Sequence, residues 1–322
     1  APFDHSLRST LLRAPHTLSP EAERVIAAAG KLRRQPSQIY SILANADLPW
    51  PSITLSDGEE VYLNQAGYSK YRAVDSRDDR KAVFDAFWGK LGEYKSTMGQ
   101  VLLSEVEANV FQSRMRKYEH ILDWALAGDN LPEEVYRSLV KVTNESLPTL
   151  YRYFKLRGRL LGIDDLRYYD VYPDLVQSDE VFSYKRSIET TIVGLAPLGD
   201  EYGELLKSYV QVDHTHVYPR KGKRSGAYMS GSAYDTAPYM LLNHNDNYNS
   251  MSTYAHEVGH ALHTILTKAN QPFEKSGYST FIAETAAIVN ELMIQDYVLE
   301  NAKNDQERLF YLGTALEQLR GT

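Results

Sequence analysis

The feature that most constrains this chain is the HExxH pattern formed by His256, Glu257 and His260. On an α-helix, residues four positions apart lie on the same face, so the two histidines can direct their imidazole nitrogens at one metal ion. Glu257 lies about 100° further round the helix, close enough to hold a water molecule at that ion. Apolar residues recur at helical spacing through the same stretch: Val258, Ala261, Leu262, Ile265 and Leu266. The pattern therefore predicts a buried helix that presents a metal site.

A catalytic zinc site has three protein ligands and keeps one position open, so a third ligand is expected. Glu284 is the first candidate, because it lies in a nearly all-apolar helical segment where burying an unpaired carboxylate would be costly. Glu274 and Glu291 are the alternatives. Glu274 follows a proline in a predicted loop, whereas Glu291 lies two helical turns beyond Glu284 and can support a ligand histidine from behind. Spacing alone favours Glu284 only modestly.

Three other histidines are weaker candidates. His263 falls on the same helical face as His256, either beside the metal and the substrate or as a structural histidine. His214 and His216 alternate along a predicted strand, 210–218, and so point to one side of it. His214 and His216 predict a metal site less strongly than the HExxH pattern does, so the HExxH helix remains the predicted metal site.

Several segments together carry a family likeness. They are 222–228, 237–243, 256–263, 271–273 and 281–287, and upstream 16–23, 45–48 and 156–163. In these segments the sequence resembles oligoendopeptidase F, the bacterial branch of the thimet-oligopeptidase-like (M3) zinc metallopeptidases. The resemblance covers nearly the whole chain. One departure is Ala287, where the family commonly has a serine.

The resemblance implies a zincin-like helical metallopeptidase that holds one Zn²⁺ on His256, His260 and Glu284. It implies that Glu257 is the catalytic carboxylate and that short peptides are the substrates. It further implies a longer parent protein, because the family's N-terminal part and its oxyanion-stabilising Tyr and His residues have no counterpart here. Two alternatives remain: a related HExxH zinc carboxypeptidase, and a zinc-stabilised binding fragment without activity.

The composition limits the classes of partner and of chemistry open to this protein. The formal net charge of −7 argues against nucleic acid as a partner. The chain has no cysteine, so disulfide and thiolate chemistry are excluded and zinc must bind histidine and carboxylate. No apolar run approaches the roughly 18 residues of a membrane span, and no signal peptide is visible. We therefore expect a cytoplasmic protein that does not bind membranes; the sequence specifies no oligomeric state.

The predicted fold is mainly α, with a helical lobe over 1–180 and a zinc-binding catalytic region over 181–322 that is truncated at its C-terminus. A β-hairpin is predicted over 52–64, because residues alternate on either side of the turn-forming pair Asp57-Gly58. A small antiparallel sheet is predicted beside the HExxH helix. Its strand over 236–244 contains Pro238, which cannot donate to a ladder, so that strand is predicted at the sheet edge, where a peptide could pair with it.

Overall fold

The computed structural model describes residues 3–176, 178, 180–220 and 223–321. Gly222, which opens one of the segments that resemble oligoendopeptidase F, lies outside the described residues. The chain divides into two compact units, Ala1–Pro173 and Asp174–Thr322. The prediction of a mainly helical fold with small sheets is confirmed. Among the described residues, no helix combines the length and the apolar character that a membrane crossing requires.

The first unit is helical with one hairpin. Its helices and strands are α1 (Asp4–Arg13), α2 (Pro20–Arg33), α3 (Gln35–Ile42), β1 (Ser52–Thr54), β2 (Glu60–Tyr62), α4 (Gln65–Tyr71), α5 (Arg77–Glu93), α6 (Lys95–Met115), α7 (Ile121–Ala127) and α8 (Glu133–Leu161). β1 and β2 pair antiparallel, as the sequence predicts, and Gly58 has a positive φ of 91° in the turn between them. The hairpin lies on a small core that includes Val61, Leu63 and Phe87.

The polar centre of the first unit is Asp170, whose side chain is fully buried. Its carboxylate oxygens accept hydrogen bonds from Arg77 and Arg80, at 3.0 and 3.1 Å. Although burial raises the pKa of Asp170, the hydrogen bonds from Arg77 and other donors outweigh it, and the pKa lies below its usual value. Arg157, also buried, donates to the Asp170 main-chain carbonyl. The turn around Asp170 is thus fixed by ion pairs as well as by apolar packing.

The second unit contains the HExxH motif. Its elements are α9 (Tyr184–Gly194), α10 (Asp200–Val210), β3 (Thr215–His216), β4 (Tyr228–Ser230), β5 (Tyr239–Leu241), α11 (Tyr248–Asn270), α12 (Thr280–Glu300) and α13 (Asp305–Gly321). α11 is the central helix, and its apolar face is fully buried at Met251, Tyr254, Ala255, Val258, Ala261 and Leu262. Asn247 caps α11 by accepting a hydrogen bond from the Ser250 N–H.

The small sheet differs from the prediction in two respects. Its strand order is β3-β5-β4, so β5 is the central strand and not an edge. Pro238 lies just before β5, and its missing N–H therefore interrupts no ladder bond. Only the β4–β5 pair is antiparallel; β3 runs parallel to β5, and the sheet is mixed. The edge strand that packs beside α11 is β4, where Met229 approaches Thr264.

Gly259 allows α12 to pack unusually close to α11. A Cβ at this position would lie 2.7 Å from the Ala287 Cα and 3.0 Å from the Ala286 carbonyl oxygen, both of them main-chain atoms of α12. Only a residue without a side chain permits that approach. Ala287 is fully buried in the same contact. The close approach sets the distance between the helix that carries the histidines and the helix that carries Glu284.

Candidate metal centre

His256 and His260 lie within α11, one helical turn apart. The Nε2 atoms of His256 and His260 are 3.0 Å apart. Both side chains are largely buried, with 22% and 13% of their surface exposed. The predicted arrangement of two imidazoles directed at one point is therefore present.

Glu284 brings the third donor from the first turns of α12. Its Oε2 lies 3.4 Å from His256 Nε2 and 3.7 Å from His260 Nε2. Among the described residues, these three side chains form the group of histidine and carboxylate donors with the spacing of a metal site, all within 4.8 Å of one another. Zinc bonds of about 2.0–2.1 Å in a tetrahedron place neighbouring ligand atoms about 3.3 Å apart. The separations and the donor types therefore fit Zn²⁺.

The expectation that Glu284 is deeply buried is wrong. Its side chain is 45% exposed, so burial of an unpaired carboxylate does not single it out. The segment around it is not covered on all sides, because Phe281 and Ile282 are more than half exposed. Glu284 meets the histidines because of its place on α12 relative to the Gly259 contact, which spacing in the sequence does not reveal.

Glu291 supports His256 from behind, as the sequence suggested. The Nδ1 of His256 makes a hydrogen bond with Glu291 Oε1. With Nδ1 as the donor, the Nε2 lone pair faces His260 and Glu284. Burial lowers the pKa of His256, but the hydrogen bond and the charge of Glu291 outweigh it, so the pKa is raised. The pKa of His260 is lowered by burial and then by the neighbouring His256.

Glu257 lies beside the donors in a buried position, 6% exposed. Its carboxylate accepts a hydrogen bond from the main chain of Met229 on β4, while its Oε2 has no hydrogen-bond partner among the described residues. Burial raises the pKa of Glu257, and the charge of His256 only partly offsets this. A buried carboxylate with a free oxygen beside three donor atoms is suited to hold a water molecule or a proton.

The other candidates lie apart from this group. Glu274 is exposed on a short 3-10 turn, Phe273–Lys275. His263 packs against Tyr278 with ring centroids 4.3 Å apart, and burial lowers its pKa. His214 packs edge-on against Tyr239, and His216 is exposed. None of these side chains belongs to the metal-site group found among the described residues.

Two amide side chains near the site, buried Asn290 and partly buried Gln318, were missed in the sequence. Asn290 on α12 donates to the Ala255 carbonyl on α11 at 3.2 Å and accepts from the Tyr202 hydroxyl on α10 at 3.1 Å. Gln318 on α13 donates to Glu291 Oε2 at 3.1 Å and to Ser252 Oγ at 2.7 Å. The available signal for Asn290 was an amide directly after the apolar run 286–289. Nothing in the local sequence marks Gln318, which is distant along the chain.

Comparison with known proteins identifies the family. The model described as "Peptidase family M3" matches residues 71–322, well over half of the chain. The chain belongs to peptidase family M3. A second family model, described as "Oligopeptidase F", matches residues 1–49. The resemblance to oligoendopeptidase F that the sequence motifs indicate is confirmed.

Individual relatives agree with the family model. The family M3 chain is 38% identical over 321 residues to oligopeptidase PepF of Bacillus subtilis, covering 99% of this chain and 48% of that protein. It is 35% identical over 320 residues to the group B oligopeptidase PepB of Streptococcus agalactiae, covering 99% and 53%. The structure matches oligoendopeptidase-F from Enterococcus faecium with a TM-score of 0.70 and 25% identity, covering 99% and 50%. The chain thus spans about half the length of the relatives it matches.

Proposed function

We propose that this chain carries the catalytic site of a zinc-dependent peptidase that cleaves short peptides at internal bonds. The observation that carries the proposal is the triangle of donor atoms, with sides of 3.0, 3.4 and 3.7 Å, beside the buried carboxylate of Glu257. Membership of family M3 supports it, as do relatives named oligopeptidase and oligoendopeptidase. Two histidines and one glutamate leave the fourth position of a tetrahedral ion open, which is the arrangement of catalytic zinc sites.

A zinc ion held by His256, His260 and Glu284 would supply a Lewis acid and a water of lowered pKa. The residues of the chain supply the rest. Glu291 holds His256 in the tautomer whose Nε2 carries the lone pair. The close contact at Gly259 keeps Glu284 within reach of both imidazoles. These groups are in place before a substrate arrives, so little rearrangement is needed during the reaction.

Glu257 performs the proton transfers. Its unpartnered oxygen is positioned to accept a proton from the attacking water, and the same oxygen can pass that proton to the leaving amine. The Met229 main chain holds the carboxylate in place. Because the nucleophile is water, no covalent acyl-enzyme forms. A general acid–base group of this kind contributes about 10²–10⁴-fold to the rate.

The strand that would meet the peptide is β4. On one side of β5, the N–H groups of Met240 and Leu242 donate to main-chain carbonyls of β3 and its flank. The main-chain groups of the alternate residues, Tyr239 and Leu241, therefore face β4, where they pair with Ser230 and Tyr228. Met229 then points its main-chain groups away from β5, consistent with its bond to Glu257. A peptide that pairs with this edge would pass Glu257, and main-chain pairing would accept varied side chains. We therefore propose that β4, and not the strand predicted over 236–244, pairs with the peptide.

The test is metal analysis together with cleavage of an internally quenched peptide blocked at both ends. We expect one zinc per chain in the unsubstituted protein, and loss of that zinc in Glu284→Ala. Glu257→Gln should keep its zinc and lose cleavage by about 10²–10⁴-fold. Glu274→Gln, an exposed glutamate on the loop, is the matched control and should behave like the unsubstituted protein.

Three results would contradict the proposal. Undiminished cleavage by Glu257→Gln would remove its catalytic role. Cleavage confined to peptides with a free C-terminus would indicate a carboxypeptidase. Zinc binding without cleavage of any peptide would indicate a zinc-stabilised binding fragment.

A further inference from the structure

We propose that Gln318 on α13 is a positioning residue that sets the zinc affinity of the site by fixing Glu291. The inference rests on the proposed zinc site. It concerns a group that hydrogen-bonds Glu291 and Ser252, one step further from the proposed metal than Glu291 itself. The structural basis is a chain of hydrogen bonds that runs from Ser252 through Gln318 and Glu291 to His256.

Both oxygens of Glu291 are engaged, each from a different helix. Oε1 bonds the Nδ1 of His256 on α11, and Oε2 accepts from the Gln318 Nε2 of α13 at 3.1 Å. A glutamate side chain has three rotatable bonds and is costly to immobilise. The Glu291 side chain is 24% exposed to solvent, so apolar packing alone does not hold it in one conformation. The amide of Gln318 supplies the second point of attachment.

Gln318 is itself tied to the histidine helix. Its Nε2 also donates to the Oγ of Ser252, a buried residue one turn before His256 on α11. The Gln318 amide therefore connects the Glu291 carboxylate of α12 to the same helix that carries the histidines. α13 packs against the N-terminal end of α11. There the Tyr248 ring contacts the rings of Phe310 and Tyr311, with centroids 5.9 and 5.6 Å apart.

These hydrogen bonds hold the His256 ring in one orientation before a metal binds. If Glu291 were free to rotate, its hydrogen bond to Nδ1 would be intermittent and the imidazole would sample other ring orientations. Zinc binding would then have to order both side chains. Groups that orient a ligand histidine typically change metal affinity by about 10–100-fold when they are removed. Gln318 acts one step further out, so we expect an effect at the lower end of that range.

The experiment measures zinc affinity of the metal-free protein by competition with a chromophoric chelator at fixed pH and ionic strength. Glu291→Ala should weaken binding by about 10–100-fold and Gln318→Ala by about tenfold. Gln318→Glu keeps the shape of the side chain but cannot donate to Glu291, and should weaken binding at least as much. Leu319→Ala, at the exposed neighbouring position of α13, is the control and should leave affinity unchanged.

The double variant separates positioning from a general effect on the fold. If Gln318 acts through Glu291, adding Gln318→Ala to Glu291→Ala should change affinity by less than about twofold, because the two groups share one pathway. Equal losses in both backgrounds, or an affinity within twofold of the unsubstituted protein for Gln318→Ala alone, would overturn the inference. Absence of zinc binding by the unsubstituted protein would instead contradict the proposed function.

Discussion

Substitution of Gly259 by alanine tests how closely α11 and α12, which carry the proposed zinc donors, must pack. The added Cβ would lie 2.7 Å from the Ala287 Cα and 3.0 Å from the Ala286 carbonyl oxygen. These are main-chain atoms, so no side-chain rotation can relieve the contact. Restoring an ordinary separation of about 3.4 Å or more requires α12 to move by roughly 0.7 Å relative to α11.

Two effects on stability oppose each other. Alanine gains about 1 kcal/mol over glycine in a helix interior. Overpacking of a close contact costs about 1–3 kcal/mol. The difference is a net loss of about 0–2 kcal/mol in the free energy of unfolding, and we expect a value near the upper end because the clash is with main chain and does not relax locally.

The effect on the metal site should exceed the effect on stability. A displacement of roughly 0.7 Å moves Glu284 and Glu291 together with α12, whereas metal–ligand distances tolerate only about 0.2 Å. We expect zinc affinity to fall by at least about tenfold, since a poorly placed ligand loses most of its bond. Chelator competition measures the affinity, and denaturant unfolding of the metal-free protein measures the stability.

Gly203→Ala is the matched control, since a Cβ at that position of α10 meets no atom within 4 Å. It should stabilise the protein slightly and leave zinc affinity unchanged. The reasoning would be refuted if Gly259→Ala behaved like Gly203→Ala in both assays.

Two further predictions concern buried polar groups. Asn290→Leu should lower the free energy of unfolding by about 1–3 kcal/mol, because the Tyr202 hydroxyl is left without its acceptor and the Ala255 carbonyl loses its second donor; denaturant unfolding measures this, and an unchanged midpoint would contradict it. The pKa of Asp170 is held below its usual value by its ion pairs with Arg77 and Arg80. Its stabilising contribution should therefore be complete above its unfolded pKa, near 3.8, and be lost as the pH falls through the lower folded value. Asp170→Asn should lose about 3–5 kcal/mol at pH 7 and flatten that acid dependence, as measured by unfolding at a series of pH values; an unaltered acid dependence would count against it.

Local patterns predicted what is determined locally. The HExxH spacing placed two imidazoles on one helical face, and the structure brings His256 and His260 together within α11. Asp57-Gly58 predicted a hairpin, because the turn requires the positive φ that Gly58 adopts. Both features depend on residues only a few positions apart, so periodicity and turn chemistry suffice for them.

Features that depend on packing between distant elements were harder to predict. The apolar segment around Glu284 predicts deep burial, yet its side chain is 45% exposed and it reaches the histidines because of the Gly259 contact. Pro238 indicated an edge strand, but the strand begins one residue later and lies at the centre of the sheet. Gln318 reaches Glu291 only through the packing of α13, which leaves no periodic signal in the sequence.

The most direct test of the metal site is a crystal structure of the zinc-loaded protein with anomalous data collected on both sides of the zinc absorption edge. The account predicts one zinc peak per chain, about 2.0–2.2 Å from the Nε2 atoms of His256 and His260 and from a carboxylate oxygen of Glu284. A zinc ion bound elsewhere, or held without Glu284, would contradict it.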